Sequence, residues 1–364
     1  MAPPKKKRRR TSDRVTLDDI SRYCNVSKAT VSRVLNDKLK EFPVSEEMIL
    51  KVKNAAQQLG FRPNRLARAV RSQRTNLIGL SIFHIDYASF MPDFLDYESQ
   101  AMGKFVNAIL SHPGFEQYDL VIHDRRENPV KPLMTGDFKT DLLDGMIYLT
   151  PSESHTEFFQ VASQDFPVVL LGRTSSSELK VPCVDIDNRK MGKKAVEHLI
   201  DTGRRRILML IPEKIQHICC VQDRLQGYKD ALAEHQLEIL PELVRTVQSL
   251  PETVLGFLQG LRGLDEIDAI FCPYDELAEL CIRSLKTMGK RIPEDIAVMG
   301  FDDTAIAQHT VPSLSSVRRP VEKQAHEAVD LLLKILKKEI PYEPGFHEIE
   351  TTLVIRESTV KQQA

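Results

Sequence analysis

The spacing of hydrophobic positions changes at about residue 75 of the chain. Before that point, apolar residues recur every three or four positions in short stretches, which is typical of amphipathic helices. Beyond it, short apolar runs alternate with longer amphipathic stretches, which is typical of parallel sheets covered by helices on both faces. The pattern predicts a small helical unit followed by a larger α/β body.

Capping signals predict two short helices near the N-terminus. Thr16 is a good N-cap, and Asp18 and Asp19 in the following turn complement the positive end of the helix dipole. Ser27 can cap a second helix that runs to Asn36 after a very short turn. Two such helices predict a helix-turn-helix, whose second helix enters the DNA major groove.

The predicted second helix has an apolar inward face and a polar outward face. Small Ala29 permits a close approach to DNA, and Arg33 can reach a guanine or a phosphate. A third helix is predicted between Ser45 and Gly60, and the alternative to DNA binding is an unrelated bundle with a solvated basic face. The inward residues are Val31, Val34 and Leu35, and the outward residues are Lys28, Ala29, Ser32 and Arg33.

The larger body is predicted to contain two doubly wound parallel sheets, which makes the overall fold class α/β with an all-α helix-turn-helix headpiece. Strands are predicted at 77–83, 119–123, 145–150, 167–172, 206–211, 269–273 and 296–301. Helices are predicted at 97–110, 189–202, 223–236, 251–262, 275–288 and 320–338.

Charge is distributed unevenly along the 364 residues. Residues 1–75 hold 19 Lys and Arg against 7 Asp and Glu, a net of +12, whereas the rest holds 31 against 44, a net of −13. A basic head on an acidic body indicates a DNA-binding module joined to a separate domain. Residues 1–14 are expected to form a disordered arm that adds phosphate attraction, in preference to a nuclear import signal.

The sequence lacks the signals of a membrane protein, a secreted protein or an enzyme. No apolar stretch approaches the ~20 residues of a membrane span, and no apolar segment follows the basic N-terminus, so a cytoplasmic protein is expected. Phosphate-binding loops, nucleophile elbows and zinc-spaced ligands are absent, so we expect no enzyme, metal or cofactor. His84 and Asp86 lack a third ligand, and Cys219-Cys220 is interpreted as buried reduced thiols in preference to a redox pair.

Three stretches resemble the lac repressor/galactose repressor (LacI/GalR) family of bacterial regulators. They are VTLDDISRYCNVSKATVSRVLND, the linker FRPNRLARAVRS and IPEDIAVMGFDDTAIAQHTVPSLSSVRRP. The resemblance implies a homodimer on a palindromic operator, with a hinge helix in the minor groove. It also implies that the body is a periplasmic-binding-protein-like clamp, which holds a small effector between two lobes.

The resemblance assigns DNA contacts to the recognition helix and to the hinge. Lys28 and Ala29 become the main base-reading residues, and Asn64 and Arg65 approach the DNA from the hinge. The full set is Thr16, Ser27, Lys28, Ala29, Thr30, Ser32, Arg33, Asn36, Asn64, Arg65, Ala67 and Val70.

Two features depart from the family pattern. Val70 occupies the position of the intercalating hinge leucine, and because valine is shorter and stiffer, we expect a weaker kink in the operator. The segment 37–43 is longer than in the archetypal repressor, which leaves phosphate contacts from this loop undefined.

The resemblance also assigns an effector site. Arg224 and Asp275 match its pattern best, since an arginine donates to hydroxyls or a carboxylate and an aspartate accepts from hydroxyls. Arg173 and Asp302 are expected at the rim of the cleft. The full set is His84, Asp86, Tyr87, Thr150, Arg173, Arg224, Asp275, Phe301 and Asp302.

These assignments give the expected domain organisation. It is a basic arm at 1–14, a DNA-binding domain at 15–61, a hinge at 62–75, an effector-binding and dimerisation body at 76–358, and a tail at 359–364. The first lobe is expected at 76–172 and 303–317, and the second at 173–302 and 318–358, with crossings near Gly172-Arg173, Phe301-Asp302 and Val317-Arg318.

The expected function is a ligand-responsive repressor of a sugar-utilisation operon, acting in the cytoplasm at the bacterial nucleoid. The alternative is a cytosolic solute-binding protein whose main role is ligand sensing or carriage. The basic head argues against this alternative, because such a charge pattern is typical of DNA binding and is not needed to bind a solute.

Overall fold

The computed structural model describes the chain in several segments. They are residues 15–35, 44–61, 74–83, 95–125, 143–149, 162, 164–173 and 181–360; for residues 82–83, 95–102, 123–125 and 214 the backbone alone is described. The chain divides into two compact units, Met1–Thr75 and Asn76–Ala364, called here the smaller and the larger unit.

The smaller unit is helical in its described part, as predicted. Its helices are α1 (Leu17–Cys24), α2 (Lys28–Leu35) and α3 (Glu46–Gln58). Their apolar stripes meet in one core, which includes the buried side chains of Ile20, Val31, Val34, Val52 and Ala55. The prediction of a helix-turn-helix followed by a third helix is therefore confirmed.

The larger unit alternates strands and helices in its described part. The strands are β1 (Leu77–Phe83), β2 (Asp119–Arg125), β3 (Gly145–Leu149), β4 (Val168–Leu171), β5 (Pro182–Asp185), β6 (Ile207–Pro212), β7 (Val244–Val247), β8 (Ala269–Phe271), β9 (Ala297–Asp302), β10 (Ser315–Arg318), β11 (Gly345–Glu348) and β12 (Leu353–Val354). The helices are α4 (Leu95–Ser111), α5 (Asn188–Asp201), α6 (Cys219–Glu234), α7 (Pro251–Gly260), α8 (Asp275–Thr287), α9 (Ala305–His309) and α10 (Val321–Leu336).

The strands form two six-stranded sheets. The first has the order β11-β5-β4-β3-β1-β2, and the second has the order β12-β10-β9-β8-β6-β7. Neighbouring strands run parallel, apart from β12, which pairs antiparallel to β10. The predicted fold class, an α/β chain with two doubly wound parallel sheets and a helical headpiece, is confirmed.

Helices cover both sheets with apolar faces. On the first sheet, α10 contributes Ala325, Ala328 and Leu332 to a core shared with β1, β3 and β4. On the second sheet, α5 and α6 pack on one face, and α7 and α8 pack on the other. Within the described residues, no helix is both long and apolar enough for a bilayer crossing.

The lobe boundaries differ from the expectation. Residues 181–185 still belong to the first sheet, because β5 pairs with β4 and β11, so the chain leaves this lobe after Asp185 and not at Gly172. Residues 303–317 stay in the second lobe, because β10 pairs with β9. The chain then returns to the first lobe with α10 and β11 and crosses again before β12.

Candidate functional site

The first helix of the smaller unit begins at a cap formed by Thr16 and Asp19. The backbone N–H and the Oγ1 hydroxyl of Thr16 donate to Asp19 Oδ2, at 2.8 and 2.7 Å. These bonds, chiefly the one from the hydroxyl, lower the pKa of the Asp19 carboxyl, and the charge of Arg22 lowers it further. Thr16, one of the predicted DNA contacts, thus serves first to start α1.

The turn between α1 and α2 fixes the direction of the second helix. Asn25 adopts the left-handed conformation with φ of 53°, which asparagine tolerates better than most residues. Ser21 Oγ donates to the Val26 carbonyl at 2.5 Å. Ser27 Oγ then accepts from the Thr30 N–H at 3.0 Å, which caps α2 at its first turn.

The N-terminal end of α2 is the exposed part of the recognition helix. Lys28 and Ala29 are exposed, whereas Ser32 and Arg33 are half-buried. The Lys28 ammonium contacts Asp18 of α1, with 2.8 Å between Nζ and Oδ2. This end of the helix therefore presents a donor and a small side chain, which suits an approach to base edges.

The remaining predicted DNA contacts lie outside the described residues. They are Asn36, which follows Leu35 in the sequence, and Asn64, Arg65, Ala67 and Val70 of the predicted hinge.

Arg224 of α6 is the centre of a buried polar cluster in the larger unit, with 1% of its surface exposed. Its Nε donates to Asn188 Oδ1 at 3.0 Å, and its two terminal nitrogens donate to the Pro273 carbonyl and, at 3.4 Å, to Asp302 Oδ1. The guanidinium carbon lies 3.5 Å from the centre of the Phe301 ring. A cation–π contact and three acceptors thus compensate for its burial.

Two glycines allow the helices around Arg224 to approach closely. A Cβ on Gly192 of α5 would lie 2.8 Å from the backbone oxygen of Arg224, and a Cβ on Gly227 of α6 would overlap the carbonyl of Arg189. Larger residues at either position would separate α5 from α6. The glycines therefore keep Asn188 within reach of Arg224.

Asp275 begins α8 and is completely buried. Its Oδ1 accepts from Ser316 Oγ and its Oδ2 accepts from the Thr304 N–H, each at 2.6 Å. Burial raises the pKa of the Asp275 carboxyl to about 7, and the charge of Asp302 adds to the rise. Asp275 thus ties α8 to the loop after β9 and to β10.

Glu276 follows Asp275 and is also buried. Burial, together with the charge of Asp275, raises the pKa of Glu276 well above its usual range. Its two carboxyl oxygens lie among the buried atoms of the described structure that make no hydrogen bond. Burial thus favours the neutral form of this carboxyl over the charged form.

Asp185, at the end of β5, connects the two lobes of the larger unit. It accepts from Gln324 Nε2 of α10 at 2.9 Å and from Asn188 Nδ2 of α5 at 3.0 Å. Since Asn188 also accepts from Arg224, a continuous hydrogen-bond path runs from the first lobe to Arg224. Burial raises the pKa of Asp185, although Arg319 and the backbone donors oppose the rise.

The structure brings only part of the predicted effector set together. Arg224, Phe301 and Asp302 are in contact. Arg173 is exposed, as expected for a rim, but Asp302 is buried, so its expected place at the rim is wrong. The hydrogen bond that Asp302 Oδ1 accepts from the buried Arg224 guanidinium explains the difference. His84, Asp86, Tyr87 and Thr150 lie outside the described residues.

Several residues of the cluster were missed by sequence reasoning. Asn188, Asp185 and Gln324 form the path between the lobes, and Ser316 holds Asp275. The run Asp185-Ile186-Asp187-Asn188 directly after an apolar stretch is the one local signal that pointed to polar residues at a strand end. Gln324 and Ser316 carry no such signal, because their partners are distant in sequence.

Both units match known protein families. Residues 16–64 match the family described as "Bacterial regulatory proteins, lacI family", and residues 196–359 match the "Periplasmic binding protein-like domain". The HTH-type transcriptional regulator CelR of Thermobifida fusca is 31% identical over 347 residues, which cover 95% of this chain and 98% of that protein. The ribose operon repressor of Halalkalibacterium halodurans is 28% identical and covers 94% and 97%.

Solved structures show the same similarity. A CelR–cellobiose complex aligns with a TM-score of 0.67 at 29% identity, covering 95% of this chain and all of that one. The lac repressor dimer bound to operator and the anti-inducer ONPF aligns with a TM-score of 0.78 at 22% identity, covering 96% and 100%. At that identity the second match supports the fold alone.

Proposed function

The chain belongs to the lacI family of bacterial regulatory proteins, and from this premise we propose that it is a ligand-responsive transcription regulator, most simply a repressor. The observation that carries the proposal is the exposed N-terminal end of α2. Lys28 and Ala29 stand on a helix-turn-helix whose unit has a net charge of +12. Such a surface binds DNA phosphates by charge and reads bases with the first residues of the helix.

We propose a palindromic operator bound by a homodimer, with the hinge residues Asn64, Arg65, Ala67 and Val70 contacting the minor groove. A twofold-symmetric protein presents its two recognition helices to two equal half-sites, so operator symmetry follows from protein symmetry. Because a regulator of this kind acts where the DNA is, the proposal includes action in the cytoplasm at the nucleoid.

The proposed effector is a sugar or a sugar derivative held near Arg224 and Asp275. Guanidinium donors and carboxylate acceptors are the groups that bind hydroxyls. The 3.4 Å bond to Asp302 is the longest of the three that Arg224 donates, so it is the one that an effector oxygen would most readily replace. The sugar class is supported by the cellobiose in the CelR complex and by the ribose operon repressor among the relatives.

The effector would act through the path from Arg224 to Asp185 and Gln324. Because this path joins the lobes, a ligand that changes the position of Arg224 changes the preferred lobe arrangement, and hence operator affinity. The relatives are transcription regulators and not enzymes. We likewise propose that the polar cluster around Arg224 binds the effector without catalysing a reaction. A cytosolic sugar carrier is the alternative, and such a protein would bind sugar without binding DNA.

Two measurements with the full chain test the proposal. Selection from a random duplex library should yield a palindromic sequence, and band shifts on it should respond to cellobiose, ribose or another sugar from a thermal-shift screen. Arg224→Met should abolish the response to sugar but retain operator binding. Arg262→Met, at an exposed arginine of the same lobe, should change neither. A chain that selects no duplex sequence would disprove the regulator and favour the carrier.

A further inference from the structure

Asp18 and Lys28 form an ion pair that the fold does not require. The pair joins α1 to α2, with 2.8 Å between Lys28 Nζ and Asp18 Oδ2 and with side chains 58% and 56% exposed. Exposed pairs of this kind contribute little to stability because water screens them and both side chains lose freedom. The cap of α1 is formed by Asp19 and not by Asp18.

The pair lies on the surface that faces DNA in a helix-turn-helix. Lys28 is the first residue of α2, and exposed Ala29 beside it leaves room for a base edge. A carboxylate on this surface is repelled by phosphates and by the guanine acceptors. Asp18 is therefore unfavourable in a complex unless the DNA offers a hydrogen-bond donor beside the atom that Lys28 contacts.

One base pair offers this combination at the right spacing. In a G·C pair, guanine O6 accepts the N–H of cytosine N4, so these two atoms lie about 2.9 Å apart. The 2.8 Å between Nζ and Oδ2 matches this distance. Lysine is a usual partner of guanine O6 and N7, and aspartate is a usual partner of cytosine N4.

We propose that Asp18 and Lys28 together read one G·C pair in each half-site, with Lys28 on the guanine and Asp18 on the cytosine amino group. The inference rests on the proposed DNA-binding function and adds Asp18 as a specificity-determining residue. An A·T pair also offers a donor next to an acceptor. However, guanine gives Lys28 a second acceptor at N7, whereas thymine has a methyl group beside O4.

The substitution Asp18→Asn tests the pairing. In the full chain it removes the charge, leaves the Thr16–Asp19 cap in place, and supplies an amide, which prefers adenine. We expect wild type to favour G·C at one half-site position by about 5- to 100-fold over the other three pairs. Asp18→Asn should lower that preference at least fivefold and favour adenine in place of the cytosine, with other positions unchanged.

The matched control is Glu47→Gln, which removes an exposed carboxylate of α3 in the same unit. Its loss should change affinity for all operator variants by one common factor, with preferences unchanged. The measurement is a competitive binding assay with all four base pairs at every half-site position, repeated at two salt concentrations.

Two results would overturn the inference while the proposed function stands. One is that Asp18→Asn raises the affinity for all operator variants by the same factor as Glu47→Gln does. This result would mean that Asp18 only reduces the attraction to DNA phosphates. The other uses Lys28→Ala to find the half-site positions whose base preference depends on Lys28. If the wild-type chain prefers a G·C pair at none of these positions, the inference is wrong. A wild-type chain without preference at any position would instead refute the proposed function.

Discussion

Gly300 of β9 leaves the space that the Asp275 carboxylate occupies. A Cβ at this position would overlap Asp275 Oδ1 and would lie 2.8 Å from Leu314 Cδ2. Gly300 is also the register partner of Ser316, which donates to the same carboxylate oxygen. Gly300→Ala must therefore displace Asp275, Leu314 or the strand itself.

The cost follows from two effects. Overpacking a tight core costs about 1–3 kcal/mol. Loss of a hydrogen bond to a carboxylate costs about 1.5–3 kcal/mol. Because the displaced carboxylate stays buried, both effects apply, and we expect Gly300→Ala to lower the free energy of unfolding of the larger unit by about 2.5–6 kcal/mol.

Urea unfolding followed by near-UV circular dichroism measures this loss. Of the eight tyrosines only Tyr23 lies in the smaller unit, so the signal reports mainly on the larger one. The control is Gly256→Ala, in the interior of α7, where a Cβ has nothing within 4 Å. This change should stabilise the unit by up to about 1 kcal/mol. A Gly300→Ala protein within about 0.5 kcal/mol of wild type would refute the reasoning.

Three further predictions concern Asp275, the helix-turn-helix and the hinge. Burial raises the pKa of Asp275 to about 7 in the folded state, above its unfolded value of about 3.9. Protonation of this carboxyl therefore stabilises the folded state, and the stabilisation is complete below about pH 4. That effect declines by up to about 1.4 kcal/mol per pH unit until about pH 7, and Asp275→Asn should remove the decline. Urea unfolding from pH 5 to 8 checks this, and parallel curves for the two proteins would contradict it. Asn25→Val places a β-branched residue at φ of 53° and should destabilise the smaller unit by about 1–2 kcal/mol in thermal melts, whereas Asn25→Gly should not. Val70→Leu should increase operator affinity and bending in a gel-based bending assay, and unchanged values would disprove the wedge argument.

Local patterns predicted the elements whose signals are contained within their own sequence. The predicted strand 77–83 coincides with β1, and the predicted helix 275–288 differs from α8 by one residue. Such agreement is expected, because the period of apolar residues reflects burial on one face. The caps Thr16 and Ser27 were likewise readable, since their partners lie three residues away.

Short strands escaped the sequence reasoning. β5, β7, β10 and β11 have four residues each but include polar ones, and β12 has only two residues. None of them therefore shows the unbroken apolar run that marked the equally short β4 and β8. Their existence depends on pairing with strands that are distant in the chain, as β11 pairs with β5. The misplaced lobe boundaries follow from these omissions, because a strand that is not predicted cannot be assigned to a sheet.

The sequence by itself determined the helix-turn-helix, the separation of charge between the two units and the alternation of strands and helices. Only the tertiary structure decided which sheet each short strand joins and which side chains surround Arg224. Helix caps, apolar periodicity and charge clusters involve residues that are close in the sequence, so the sequence alone reveals them. Asn188, Gln324 and Ser316 acquire their partners only when distant segments pack, since a buried charge is stable only where the folded chain supplies hydrogen bonds to it.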